Sequence, residues 1–139
     1  MSKKLVLDTH VFLNAARGKQ VSKATMKLID RVGDAGDLFV SAITPWEIAL
    51  LSRHGKKVRL HGDGREWTET ALERMQVNLV PLSPSVAFDA VNLVWDHGDP
   101  ADRIIVAAAR ELDATLVTAD NAILEFAEAT GAVKTMEPV

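Results

Sequence analysis

The chain of 139 residues carries 16 Lys and Arg against 19 Asp and Glu, a formal net charge of −3, and contains neither cysteine nor tyrosine. Its length and its 47% of hydrophobic residues fit one folded domain over residues 1–139 and exclude a disordered chain. The absence of cysteine excludes disulfides, Cys-ligated zinc, iron–sulfur centres and a thiolate nucleophile.

The predicted elements alternate between strands and helices. Residues 5–7 are consecutive apolar residues, which is typical of a strand buried on both faces. Thr44, Pro45 and Glu47 are typical of a helix start, with threonine as the cap, and this helix ends at Gly55. In chain order the pattern predicts a strand at 4–8, helices at 9–16 and 22–35, a strand at 38–42, helices at 44–55 and 65–75, a strand at 77–80, helices at 83–93 and 99–112, a strand at 115–118, a helix after 120 and an edge strand at 132–136. Strands separated by helices indicate a parallel sheet that is covered by helices on both faces.

Two acidic residues come at the ends of predicted strands. Asp8 directly follows the strand at 5–7, and Asp120 comes just after the strand at 115–118. Both positions also suit a helix cap, because aspartate favours helix starts. Since ligands of parallel sheets bind beyond the carboxyl ends of the strands, two acids at this edge favour a shared site.

Two further acids, Glu47 and Asp102, lie in the first turns of predicted helices. Each comes three residues after a capping residue, Thr44 or Asp99, so a capping box explains the spacing equally well. Both acids share a helix face with apolar residues, which places them at the ends of buried stripes and not on solvated faces. Asp99 precedes a proline and is interpreted as a helix cap, with assistance to the metal site as the alternative.

Grouped carboxylates favour a metal site. Carboxylates that lie close together repel one another and raise one another's pKa, and a divalent cation relieves that repulsion. Oxygen ligands without cysteine suit Mg²⁺ or Mn²⁺ better than zinc, and none of the four histidines lies at ligand spacing. Such sites commonly serve phosphoryl chemistry, in which the ion orients water and stabilises charge on the phosphate.

Four segments carry a resemblance to a known family. They are LVLDTHVFL at 5–13, SAITPWEIALL at 41–51, HGDPADRIIVAAA at 97–109 and LVTAD at 116–120. In this order and spacing the chain resembles the PIN-domain ribonucleases, specifically the VapC toxins of bacterial toxin–antitoxin pairs. The resemblance implies a PIN-like three-layer α/β/α sandwich around a parallel sheet of four to five strands.

The same resemblance implies an activity and its residues. It implies an Mg²⁺- or Mn²⁺-dependent endoribonuclease that acts on single-stranded or looped RNA and leaves 5′-phosphate and 3′-hydroxyl ends. Asp8 and Asp102 would be the principal metal ligands. The full set implied by the resemblance comprises the catalytic and metal-binding residues Asp8, Glu47, Asp102 and Asp120 and the supporting hydroxyls of Thr9 and Thr118.

The resemblance also implies partners. A cognate VapB-type antitoxin would cover the acidic groove with a basic side chain, and the chain would form a homodimer, for which residues 46–51 offer apolar surface. No apolar run approaches the roughly 18 residues of a membrane span, and the stretch at 5–7 is too short for a signal peptide. We therefore expect a cytoplasmic protein with no membrane partner.

The charge distribution bears on the RNA partner. Residues 1–65 hold 12 basic and 6 acidic residues, a charge of +6, whereas residues 66–139 carry −9. The basic first half includes a cluster that is a candidate for contacting RNA phosphates, with a solvated loop as the alternative. This cluster consists of Arg53, Lys56, Lys57 and Arg59.

Two other functions remain open at this point. A catalytically silent PIN-like module would only hold RNA or protein, and the intact set of four acids argues against silence. A haloacid-dehalogenase-like phosphohydrolase also begins with a strand that ends in aspartate. That family needs a second aspartate two residues later, where this chain has His10.

Overall fold

A five-stranded parallel sheet forms the centre of the protein in the computed structural model, which describes residues 3–53 and 59–139. All neighbouring strands pair in parallel, in the order β3-β2-β1-β4-β5. The strands are β1 (Leu5–Leu7), β2 (Leu38–Ser41), β3 (Asn78–Val80), β4 (Thr115–Val117) and β5 (Lys134–Met136). The predicted parallel sheet is confirmed.

Helices cover both faces of this sheet and give three layers. Side chains of a strand alternate between the two faces, and so Val6 packs into one apolar core while Leu5 and Leu7 pack into the other. The helices are α1 (Thr9–Arg17), α2 (Lys23–Asp34), α3 (Thr44–Ser52), α4 (Gly64–Arg74), α5 (Pro84–Asn92), α6 (Pro100–Glu111) and α7 (Asn121–Thr130). Helices α1 to α4 contribute to the core around Leu7, and α5 to α7 contribute to the core around Val6. The predicted α/β/α sandwich is therefore confirmed.

The strand order creates a crevice beyond the carboxyl ends of β1 and β4. Strand β1 pairs with β2 on one side and with β4 on the other. The strands that follow β1 in the chain are therefore added first on one side of it, as β2 and β3, and then on the other, as β4 and β5. Leu7 is in register with Val117, and the backbone N–H of Asp8 donates to the carbonyl of Val117 at 3.0 Å. Ligands of parallel sheets bind at such switch points.

The start of α3 differs from the prediction. Ile43, not Thr44, occupies the N-cap, and it makes no side-chain capping bond. The helix ends at Ser52, ahead of the predicted end at Gly55, which lies outside the described residues. The threonine cap was wrong because the hydroxyl of Thr44 bonds to another helix, as described below.

None of the helices in the described ranges combines the length and apolar character needed to cross a bilayer.

Candidate active site

Four carboxylates from four different helix starts lie within electrostatic reach of one another. Asp8 and Asp120 are the N-caps that follow β1 and β4, and Glu47 and Asp102 lie in the first turns of α3 and α6. The charge of Asp8 raises the pKa of both Glu47 and Asp102, and the charge of Asp120 raises the pKa of Asp8 and Asp102. The structure thus places the four acids that their chain positions singled out within electrostatic reach of one another. Among the described residues, however, the group whose ligand atoms all lie within 4.8 Å of one another is His97, Asp99 and Asp102, which contains only one of the four.

Asp8 is held by two donors at the end of the central strand. Its Oδ1 accepts the backbone N–H of Thr9, and its Oδ2 accepts the hydroxyl of Thr118, both at 2.7 Å. The Thr118 oxygen also accepts the backbone N–H of Asp120 at 3.0 Å, so one buried hydroxyl links two of the acids. Burial raises the pKa of Asp8 even though these hydrogen bonds lower it.

Glu47 is oriented by a chain of two hydroxyls. Oγ1 of Thr9 donates to Oε1 of Glu47 at 2.5 Å, and Oγ1 of Thr44 lies 2.9 Å from Oγ1 of Thr9. A hydroxyl carries a single proton, and Thr9 donates its proton to Glu47. The hydroxyl of Thr44 is therefore the donor in its hydrogen bond with Thr9. The pKa of Glu47 is raised, chiefly by burial. Thr9 thus contacts Glu47 directly, whereas Thr44 was missed because its spacing suggested a cap.

Asp102 pairs with a histidine that the sequence did not single out. Nε2 of His97 lies 2.7 Å from Oδ2 of Asp102. The spacing of the histidines in the sequence did not indicate this contact, because it is the loop before α6 that folds His97 back onto the first turn of that helix. Burial raises the pKa of Asp102 to about 6, although the hydrogen bond from His97 lowers it.

Asp99 has the capping role that the sequence favoured. Its Oδ1 accepts the backbone N–H groups of Ala101 at 2.9 Å and Asp102 at 3.4 Å. It also belongs, with His97 and Asp102, to a group of three side chains that could hold a metal ion, since their ligand atoms all lie within 4.8 Å of one another. Capping and assistance to a metal site are therefore compatible at Asp99.

Three of the acids have an oxygen that is available to a divalent cation. Within residues 3–53 and 59–139, one oxygen of each of three carboxylates receives no hydrogen bond, while its partner oxygen is fixed by a protein donor. The three free oxygens are Oε2 of Glu47, Oδ1 of Asp102 and Oδ2 of Asp120. Carboxylate oxygens are the ligands that hard divalent cations prefer.

The basic candidates are only partly described. Arg53 and Arg59 are exposed, and Lys56 and Lys57 lie outside the described residues. Arg103 is not available to RNA phosphates, because its guanidinium donates to backbone carbonyls instead.

Comparison with known proteins identifies the family. The family model named PIN domain matches residues 5–129. The chain belongs to the PIN domain family. It is 36% identical over 118 residues to Ribonuclease VapC22 of Mycobacterium tuberculosis, covering 84% of this chain and 86% of that protein. This PIN-domain membership excludes the haloacid-dehalogenase alternative and confirms the VapC resemblance.

Two solved structures share the fold. VapBC2 from Rickettsia felis, bound to a DNA fragment from its promoter, has a TM-score of 0.71 at 18% identity and covers 96% of this chain and 97% of that chain. FitAB bound to the IR36 DNA fragment has a TM-score of 0.55 at 22% identity, covering 96% and 94%. At these identities the likeness supports the PIN-type fold of this chain.

Proposed function

We propose that this PIN-domain protein is a metal-dependent endoribonuclease of the VapC type, a toxin that a cognate antitoxin neutralises. One observation carries the proposal: the carboxylates of Asp8, Glu47, Asp102 and Asp120 converge at the carboxyl edge of the sheet. The 36% identity to a VapC ribonuclease supports the choice of RNA as substrate. We place the protein in the cytoplasm, because its proposed substrate, RNA, is found there.

Asp8 and Asp102 are the principal candidates to hold Mg²⁺ or Mn²⁺, with Glu47 and Asp120 completing the site. A bound ion supplies positive charge beside the scissile phosphate and activates the attacking water. Glu47 would offer its free oxygen, Oε2, to the ion or to a water beside it, while Thr9 holds the other oxygen in place. Thr118 performs the same orienting task for Asp8.

The test uses purified protein and a labelled RNA pool. We expect cleavage with Mg²⁺ or Mn²⁺ and none in EDTA. The Asp8→Asn variant should lose about 100-fold or more in kcat/KM, because the site loses a charge that holds the ion. Asp113→Asn is the matched control, since Asp113 precedes β4 at the opposite edge of the sheet and its side chain is 82% exposed. Full activity in EDTA would refute the proposal, and a folded, inactive wild type would favour the silent binding module.

The proposed RNA contact lies in the basic cluster of the first half. Replacing Arg53 and Arg59 together by glutamine should raise KM and weaken its salt dependence, because fewer phosphate charges are neutralised. If the KM of the double variant equals that of the wild type at both low and high salt, the two arginines do not contact RNA and belong to a solvated loop.

The proposed protein partners are an antitoxin and a second copy of the chain. An antitoxin segment with a basic side chain would complement the acidic site, and a short reading frame directly upstream would encode it. For the homodimer, α3 offers Trp46 and Leu50, which are 56% and 47% exposed. Trp46→Glu should convert a dimer to a monomer in sedimentation experiments. A wild type that is monomeric at all concentrations would contradict the dimer.

A further inference from the structure

His97 is fixed by a stack of aromatic rings. Its imidazole lies 4.8 Å from the ring of Trp95, tilted by 34°. Trp95 in turn stacks on Phe126 at 4.5 Å and 20°. Phe126 is 6% exposed and belongs to the apolar core under α7. The imidazole therefore rests on the core and not on a free loop.

Arg103 fixes the backbone that carries His97. A guanidinium has five N–H donors, and here the guanidinium makes five hydrogen bonds, all to backbone carbonyls of the last turn of α5 and of the loop that leads to α6. The distances run from 2.7 Å to 3.1 Å. The accepting carbonyls are those of Ala90, Val91, Leu93, Trp95 and His97. Arg103 follows Asp102 on α6, so it ties the loop to the helix that bears the acid.

The geometry points to His97 as a positioning residue for Asp102. An ionised carboxylate can only accept, so in the metal-binding state Nε2–H of His97 donates to Oδ2 of Asp102 and leaves Oδ1 free to hold a cation. The neutral imidazole with its proton on Nε2 and the imidazolium both supply this donor, so the role does not depend on the charge of the ring. This inference rests on the proposed metal site and adds a residue that orients it.

The test measures the affinity of the RNA-free protein for Mn²⁺ by titration calorimetry. His97→Phe retains a ring that can stack on Trp95 but removes the donor. Partners of metal ligands typically contribute about 10–100-fold to metal affinity, and we expect a loss of about tenfold or more. His97→Gln restores an N–H donor at the end of a side chain of similar length, and should recover most of the affinity.

Thermal unfolding in EDTA and the cleavage kinetics separate positioning from a merely structural role. A structural role would lower the melting temperature of His97→Phe and leave its Mn²⁺ affinity within twofold of the wild type, which would overturn the inference. Equal losses of affinity in the Phe and Gln variants would also overturn it, because that is the result expected if the imidazole itself binds the ion. Positioning predicts a fall in kcat with KM for RNA nearly unchanged.

Arg103→Lys provides a second line of evidence. Lysine has three donors on one nitrogen and cannot satisfy five carbonyls, so the loop should loosen and the Mn²⁺ affinity should fall although Arg103 does not contact Asp102 through its guanidinium. Wild-type affinity in this variant would contradict the support assigned to Arg103. If the wild type binds Mn²⁺, loses affinity with His97→Phe and yet cleaves no RNA, the proposed function fails while the positioning role stands.

Discussion

Replacing Asp102 with asparagine should make the metal-free protein more stable and inactive. Burial and neighbouring acids raise the pKa of Asp102 from 3.8 to about 6, so the ionised carboxylate destabilises the folded state at neutral pH. This rise corresponds to about 3 kcal/mol. Because solvent and salt screen a carboxyl at an open site, we expect the free energy of unfolding of the variant to exceed that of the wild type by about 1–2 kcal/mol. The amide oxygen of the variant still accepts the hydrogen bond from His97.

Thermal unfolding in EDTA at about pH 8 measures the effect. For a chain of this size, 1–2 kcal/mol corresponds to a rise in melting temperature of about 3–8 °C. Asp113→Asn is the control: the side chain of Asp113 is largely exposed in its ion pair with Lys134, and its replacement should change stability by less than about 0.5 kcal/mol. Mn²⁺ should stabilise the wild type and not the Asp102 variant.

The effect of Asp102 on stability should also depend on pH. The carboxyl of Asp102 binds its proton more readily in the folded than in the unfolded state, so the folded wild type gains stability as the pH falls through the folded pKa of about 6. Asp102→Asn lacks this gain, and the difference between the two proteins should shrink towards about pH 4, below which both states are protonated. A variant that is equally or less stable than the wild type at pH 8 would refute the electrostatic reasoning.

Three further predictions concern the hydroxyl chain, the cation and the core. Thr44→Val removes the donor to Thr9 and should lower kcat about tenfold or less with little change in stability, whereas Thr44→Ser should behave as the wild type in the same cleavage assay. Mn²⁺ affinity should rise between about pH 5 and 7, because Asp102 must lose its proton to hold the ion; calorimetry that finds no change over this range would argue against Asp102 as a ligand. Phe12 is fully buried and makes an edge contact with Trp67 at 6.5 Å, so Phe12→Ala should cost about 3–5 kcal/mol in chemical denaturation. A cost below about 1 kcal/mol would place Phe12 outside the tightly packed core.

The fold and the acids could be predicted from the sequence because their signals are local. Consecutive apolar residues at 5–7 predict a central strand, and the parallel arrangement then sends Asp8 and Asp120 to the same edge. Thr44 and His97 depend on contacts between elements distant in the chain. Thr44 lies at a position that is typical of a helix cap, yet its hydroxyl forms a hydrogen bond with that of Thr9, 35 residues earlier in the chain.

The contact of His97 with Asp102 could not be predicted from the sequence, because it depends on the course of a loop that follows no repeating pattern. His97 comes five residues before Asp102, outside any helix, so no regular spacing brings its ring to the carboxylate. The course of this loop is set by the donors of Arg103 and by the stack of Trp95 on Phe126. The sequence contained all of these residues but gave no sign that one arginine satisfies five carbonyls.

The central position of β1 couples the candidate site to the stability of the whole protein. Val6 and Leu7 are fully buried between neighbouring strands on both sides, and Asp8 continues directly from them. Amides of such strands exchange with solvent only when the whole domain unfolds, whereas helix ends and edge strands open locally. Fraying at β3 or β5 therefore leaves Asp8 in place. We therefore expect heating to disturb the surroundings of Asp8 only as the domain as a whole unfolds, so that any cleavage activity should fall in proportion to the unfolded fraction.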